Sequence, residues 1–543
     1  MALNPVYFVL KLLVLVSFLA LTEQRKLSDR SYNNLQLPRS PWSRCNDPEN
    51  NFRRECFPDD FIFGTASASY QYEGAVLEGG RNSSIWDYFS HKYPERTNCG
   101  NGDIALDFYH RYKEDIQLMK DLNMNGFRFS ISWSRILPGG KLSKGVNREG
   151  VQFYKDLIND LIENGLSPMA TIFHWDLPLV LEEEYKGFLN RSIVKDFRDF
   201  ARVCFYEFGD KVKLWSTFNE PWVYSVAGYD RGIKAPGRCS KWKNSACQEG
   251  DSGTEPYIVT HNLLLAHAAA VKEFRNCKKC QDGKIGIVLS PPWFEPHSED
   301  SIEDQEAVVR TLDFLVGWHL SPLTFGDYPE SMKNFVGDRL PSFTQKESKN
   351  LKKYSYDYVG INYYGSFYAK NVPCIDLEKA SYMTDQHVDW IKERDDILIG
   401  KQSGSDNILS YPIGIRKIVN YIKHNYNNPS IYITENGWSD KNNDSKTLEE
   451  NLNDVDRLEY HQLHLQSLSK AISEDGVDVK GYFAWSLLDN YEWNIGYKVR
   501  FGLVYVDYHH NLTRHPKDSA LWFKEFLFLN SVLDDEELVA RDK

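Results

Sequence analysis

The 543-residue chain has no block of lysines and arginines of the kind that neutralises phosphates, and its 64 basic residues are outnumbered by 76 acidic ones, for a net charge of -12. Nucleic acid is therefore not an expected partner. Between about residues 58 and 530 no stretch is rich in Pro, Gly and Ser, low in complexity or repeated at a short period. Without a linker the economical reading is a single elaborated domain over 58–530. Cys277 and Cys280 have zinc-like spacing, but no second pair and no suitable histidines accompany them. No metal is expected there, and no other cofactor is called for. The last residues, Leu538 to Lys543, lack a retention signal of the K-D-E-L kind, which leaves vacuole and extracellular space as destinations.

The apolar run Tyr7–Leu21 is broken only by Lys11 and Ser17. It is too short for a comfortable membrane span and reads as a cleaved secretory signal over residues 1–22, so the mature protein is expected to have no membrane segment. A polar extension follows over 23–57, and a polar tail closes the chain over 531–543. Entry into the secretory pathway gives meaning to the glycosylation triplets at Asn82, Asn190, Asn443 and Asn511. It also permits disulfides among nine cysteines. Cys239 and Cys247 are the best local pair, Cys45 and Cys56 sit in the extension with partners that cannot be read, and Cys204 lies in an apolar helical pattern that suits a buried thiol. Aromatic residues reach 14%, which suits a large core and equally suits rings laid against the C–H faces of sugars.

Short apolar runs alternate with longer amphipathic stretches along the chain. Eight runs read as strands: 61–67, 126–133, 168–175, 214–219, 284–289, 358–364, 430–435 and 479–485. Helical patterns lie between them, among them 108–122, 150–164, 192–208, 260–275, 307–319 and 454–474. This is the pattern of an α/β fold, a single (β/α)₈ TIM barrel with elaborated loops, whose active site lies at the strand C-termini. Polar residues gather there. The runs lead in order to Gln71; Arg128 and Trp133; His174, Trp175 and Asp176; Asn219 and Glu220; Asn362 and Tyr364; Glu435 and Asn436; and Trp485, Asp489, Glu492 and Trp493. The fifth run is the exception and offers mainly Pro291 and Trp293.

Two of these ends carry a carboxylate, in Thr217-Phe-Asn-Glu-Pro221 and Ile433-Thr-Glu-Asn-Gly437. Cleaving a glycosidic bond with retention needs one carboxylic acid to protonate the leaving oxygen and one carboxylate to attack the anomeric carbon, about 5–5.5 Å apart. The chain also contains Phe61-Ile-Phe-Gly-Thr-Ala-Ser-Ala-Ser-Tyr-Gln71, Arg128-Phe-Ser-Ile-Ser-Trp133, Phe173-His-Trp-Asp176, Gly360-Ile-Asn-Tyr-Tyr364 and Phe483-Ala-Trp-Ser-Leu-Leu-Asp-Asn490. With these it resembles family 1 glycoside hydrolases, specifically the plant secreted β-glucosidases, over about residues 56–528.

The resemblance implies a retaining β-glucosidase acting on the terminal glucosyl residue of a small plant β-glucoside, with Glu220 as acid/base and Glu435 as nucleophile. Arg128 and Tyr364 would support the nucleophile. Gln71, His174, Asn219, Tyr364, Glu492 and Trp493 would hold the sugar, with Trp485 as the platform under its ring, while Asp176 is as readily structural. Glu492 would accept from neutral hydroxyls and repel a 6-phosphate, which favours glucose over a phosphosugar. Members of the family occur as monomers, homodimers and larger homo-oligomers.

The nearest alternative is thioglucoside hydrolysis, since Ala235-Pro-Gly-Arg-Cys239 and the N-terminal cysteines also resemble plant myrosinases. Those enzymes typically replace the acid by Gln and carry an Arg seven residues on, whereas this chain has Glu220 and Ala227. A glucosinolate sulfate would fall to Arg231, Lys234 or Arg238. Counting back from Tyr411-Pro412 places Asn407 where many plant members have a Trp, so one aromatic wall of the aglycone slot is expected to be missing. A non-catalytic sugar-binding or aggregating protein is a remote alternative, against which the intact carboxylate pair argues.

Overall fold

Strands buried on both faces read as continuous apolar runs, and the barrel is built from such strands. The computed structural model describes residues 52–374 and 376–528. Eight parallel strands form a closed barrel: β1 (Ile62–Ala66), β2 (Gly126–Ser130), β3 (Ser167–Phe173), β4 (Leu214–Asn219), β5 (Lys284–Leu289), β6 (Tyr358–Asn362), β7 (Ser430–Asn436) and β8 (Val479–Ala484). Each pairs with the next in sequence and β8 closes on β1. The expected runs overshoot at their C-terminal ends, because Trp133, Trp175, Tyr364 and Trp485 lie beyond the last paired residues. The expected signal, most of the expected extension including Cys45, and the expected tail lie outside the described residues.

The packed barrel interior needs small residues opposite large ones. A Cβ on Gly64 would meet Gly126 O at 2.5 Å and the Phe483 ring at 2.7 Å, so glycine lets Phe483 fill that layer. Around the barrel run α1 (Phe108–Asp121), α2 (Arg148–Glu163), α3 (Ile193–Phe208), α4 (Glu255–Asn276), α5 (Ile302–Leu312), α6 (Pro412–Asn425), α7 (Val455–Ser473) and α8 (Asp518–Phe526). Helix α2 shows why the amphipathic pattern works. Val151, Tyr154, Leu157, Ile158 and Leu161 share its buried face. The helical run expected over 307–319 is interrupted, since α5 passes at Leu312 into a π turn, Asp313–Gly317.

Two features position the C-terminal face. Trp293–Pro296, Ser366–Asn371 and Val388–Ile391, from the connections after β5 and β6, form a three-stranded sheet. The connection after β8 is anchored at Asp489, whose carboxylate accepts from Arg500 Nη1 at 2.8 Å and from Lys517 Nζ at 2.7 Å. Asp489 is therefore a structural ion-pair partner, and removing one side of so buried a cluster costs about 3–5 kcal/mol.

Disulfides join Cys239 to Cys247 and Cys277 to Cys280, and Cys56 is also disulfide-bonded. Cys204 is a buried free thiol. All four triplet asparagines, Asn82, Asn190, Asn443 and Asn511, are exposed. Among the described residues no helix is long and apolar enough to cross a membrane.

Candidate active site

The chain bends sharply where β4 ends. Glu220 adopts φ 45°, a left-handed conformation that costs a non-glycine residue about 1–3 kcal/mol. Its N–H donates to Val288 O at 2.9 Å, and Pro221 starts the following helix, Pro221–Tyr229. Trp175 (φ 73°) and Trp493 (φ 54°) are held in the same unusual region. On β7 the ladder to β6 shifts register between Ile433 and Glu435, and the ladder to β8 between Ile433 and Asn436. Such a bulge re-aims a side chain, and Glu435 faces the same cavity as Glu220.

That cavity measures about 710 Å³. At its inner end Arg128 Nη1 donates to Glu435 Oε1 at 2.5 Å and Tyr364 Oη donates to Glu435 Oε2 at 2.6 Å. Burial raises the Glu435 carboxyl, while Arg128, Tyr364 and Asn362 pull it back toward the ionised form. Among the described residues no cation is in contact with Glu220. Asn362 Nδ2 donates to its Oε1 at 2.6 Å, and burial together with the charge of Glu435 pushes it up to about 7. Of the two carboxyls it is Glu220 that is pushed up to about 7, because Glu435 has the guanidinium and the phenol in contact to favour its ionised form.

The remaining groups interlock with these. Arg128 Nη2 donates to Asn219 Oδ1 at 2.6 Å, which turns the Asn219 amide N–H toward His174 Nε2 at 3.0 Å. His174 must then accept on Nε2. Burial and Arg128 hold it well below the usual imidazole range, and it is neutral. Gln71 donates to Asn490 Oδ1 at 2.8 Å and Tyr491 O at 2.7 Å, which brings it against Glu492 and leaves its Oε1 buried without a partner. Glu492, pushed up to about 8 by burial, accepts from Trp485 Nε1 at 3.4 Å. The Trp485 and Trp493 rings both stack with His174, at 6.1 and 5.8 Å between centroids.

Some strand-end residues are not part of the cavity. Trp133 is fully buried against Phe200 and donates to Gly140 O. Trp293 turns to Glu295, so the fifth strand reaches the cavity through Ser290 and Pro292 instead. Asp176 lies behind it, accepting from Ser69 Oγ at 2.8 Å. Of the three basic residues named for a sulfate, Arg238 is taken by Glu249 and Glu255. Arg231 and Lys234 do line the cavity, and the Lys234 ammonium lies 4.2 Å from the Trp175 ring centroid. Burial lowers Lys234 to about 8.

At the outer end the lining turns apolar, with Trp222, Val223, Met383, Val388, Trp390 and Phe501. Asn407 is in the lining. Aromatic surface is nevertheless supplied by Trp222 and Trp390, which stack at 5.8 Å. The strand-end reading names Asn362 without a role. Its contact with Glu220 depends on an amide orientation that spacing does not encode.

A profile of glycosyl hydrolase family 1 matches residues 53–531. Beta-glucosidase 31 of Arabidopsis thaliana is 62% identical over 477 residues, spanning 87% of this chain and 89% of that protein. A rice β-glucosidase mutant, solved in a covalent complex with glucose, superposes with a TM-score of 0.86 at 46% identity, covering 88% of this chain and 100% of that one. An aphid myrosinase gives 0.77 at 36% identity over 87% and 98%.

Proposed function

The chain belongs to glycosyl hydrolase family 1 and is a β-glucosidase, and from that premise we propose that it works with retention through a glucosyl-enzyme on Glu435, with Glu220 as its proton donor. In the first step the Glu435 carboxylate attacks the anomeric carbon while Glu220 gives its proton to the departing glycosidic oxygen. Glu435 loses its charge on forming the ester. The charge that raised Glu220 is then gone, so its pKa falls and Glu220, now a carboxylate, can take a proton from the water that attacks the same carbon. Glu435 leaves as a carboxylate, Glu220 is again protonated, and glucose keeps its β configuration.

The observation that carries the assignment is the unequal treatment of two buried carboxyls. Glu435 has a guanidinium and a phenol in contact, whereas Glu220 has an amide. Gln71, His174, Asn219, Glu492 and Trp493 would hold the glucosyl hydroxyls, with Trp485 under the ring. The apolar outer end suits an aglycone with a flat apolar face. The thioglucosidase alternative is not favoured, because the acid is present and Ala227, with no positive charge, stands where those enzymes carry Arg. Disulfides and exposed glycosylation triplets support a route through an oxidising compartment. An activated 2-deoxy-2-fluoroglucoside tests the assignment. A stoichiometric adduct on the peptide containing Glu435 is expected; no adduct, or one on another peptide, would overturn it.

A further inference from the structure

The bulge on β7 has a residue to spare. Tyr432 pairs with Gly360, Ile433 with Ile361 and Glu435 with Asn362, so the ladder passes over Thr434. Thr434 is fully buried, and its Oγ1 donates to Asn362 Oδ1 at 2.7 Å. Room for it comes from Gly360, where a Cβ would stand 2.9 Å from the Thr434 methyl and 3.0 Å from its hydroxyl.

The consequence lies in which way the Asn362 amide faces. Its Nδ2 reaches Glu220 Oε1 at 2.6 Å and Asn219 Oδ1 at 3.1 Å. The oxygen of Asn219 is fixed independently, because Arg128 can only donate to it. A reversed Asn362 would set oxygen against oxygen at Asn219, yet with Glu220 protonated it could still accept the acid's own proton. The Thr434 hydroxyl could accept from a reversed amide, but its own proton would then lose the acceptor it has in Asn362 Oδ1, so it favours the orientation in which the amide donates to Glu220.

We propose that Thr434 is a positioning residue for the acid/base. Through the Asn362 amide it keeps a hydrogen-bond donor on Glu220, so that the proton faces the departing oxygen rather than the amide. The inference rests on the assignment of Glu220 as proton donor. Glu435 from β7, Arg128 from β2, Asn362 from β6, Tyr364 just beyond β6 and Lys234 from the segment after β4 act on Glu220. Replacing Thr434 by Val leaves each of these side chains in the sequence and removes the hydroxyl that orients Asn362.

The test compares Thr434→Val and Thr434→Ser with Glu220→Ala on phenyl and 2,4-dinitrophenyl β-glucosides, reading kcat/KM across pH. For Thr434→Val we expect a roughly tenfold loss on the phenyl glucoside, the size of leaving a buried amide oxygen unpaired. The dinitrophenyl glucoside, whose departure needs little proton help, should change less than about twofold. The alkaline limb on the phenyl substrate should move to higher pH, because a donor to the carboxylate is lost. Thr434→Ser, which keeps the hydroxyl, should restore both rate and limb. Equal losses on the two glucosides, an unmoved limb, or a Ser variant as damaged as the Val variant would overturn the role of Thr434. Equal losses in Glu220→Ala would instead overturn the proton-donor assignment, so the two failures are distinguishable.

Discussion

The inner end of the cavity is made by barrel strands and the outer end by their connections, and the two are held by different forces. Inside, Arg128 comes from the middle of β2 and Asn219, Asn362 and Glu435 from the ends of β4, β6 and β7, with Glu220 and Tyr364 one and two residues beyond β4 and β6, and hydrogen bonds of 2.5–3.1 Å link them. Outside, Val223, Met383, Val388, Trp390 and Phe501 present apolar surface. There the Trp222 indole N–H, donating to Tyr382 Oη at 2.8 Å, is one of few polar ties among the lining rings. Chemistry that tolerates errors of about 0.5 Å needs supports as stiff as paired strands. Aglycone choice needs only fitted apolar area, which loops can supply and vary. The comparison makes a division of labour testable: inner substitutions should act on bond cleavage, and outer ones on which glucoside enters.

The largest break in that division should come from Glu435→Gly, which removes the attacking carboxylate. We expect turnover to fall by roughly 10⁴-fold or more with every leaving group, because no covalent intermediate can form. Azide should restore activity and yield α-glucosyl azide, identifiable by NMR. A β-configured product would show that Glu435 is not the nucleophile.

Next comes Glu220→Gln. Phenyl and alkyl glucosides should lose roughly 10²–10⁴ in kcat/KM, the usual worth of general acid catalysis, while dinitrophenyl glucoside loses far less. A uniform loss would place Glu220 in sugar binding and erase the contrast between its role and that of Glu435.

The outer end should give smaller effects of a different kind. Trp390→Ala is expected to raise KM for aryl glucosides by roughly 2- to 10-fold, the worth of one aromatic contact, with methyl glucoside hardly affected. If kcat on methyl glucoside fell instead, the loop sheet would be acting on the chemistry, and the division would be wrong.

The two ends were not equally legible in the sequence. Eight apolar runs anticipated the barrel because strands buried on both faces need little tertiary context to be seen. The carboxylates stood out as polar residues ending apolar runs. What the runs hid was orientation. Trp133 and Trp293 end or follow such runs as Trp485 does, yet they turn into the core and toward Glu295 respectively. The bulge that skips Thr434, and with it the purpose of Asn362, arises from the fit between three strands and leaves no mark in spacing. The outer wall was hardest, since Trp222 and Trp390 come from distant connections whose meeting is decided only in the folded chain. Asn407 could be counted to the cavity, but the rings that line it could not.

Lys234 stands between the two ends, and the last prediction concerns it. Its ammonium lies against Trp175 and Trp493, and it acts by charge on Glu220, Glu492 and Glu435. With the Glu220 carboxyl at about 7, the alkaline limb of kcat/KM should fall near pH 7, since activity is lost as the proton donor ionises. A positive charge nearby favours the carboxylate, so Lys234→Met should move that limb to higher pH. The change in rate at the optimum should be small, because no hydrogen bond to Glu220 is removed. A limb that moves to lower pH, or stays fixed while KM for every aglycone rises, would mean that Lys234 serves the outer end alone. A limb that moves upward with KM unchanged would assign it to the inner one, and would put the boundary between the two regions at the face of Trp175.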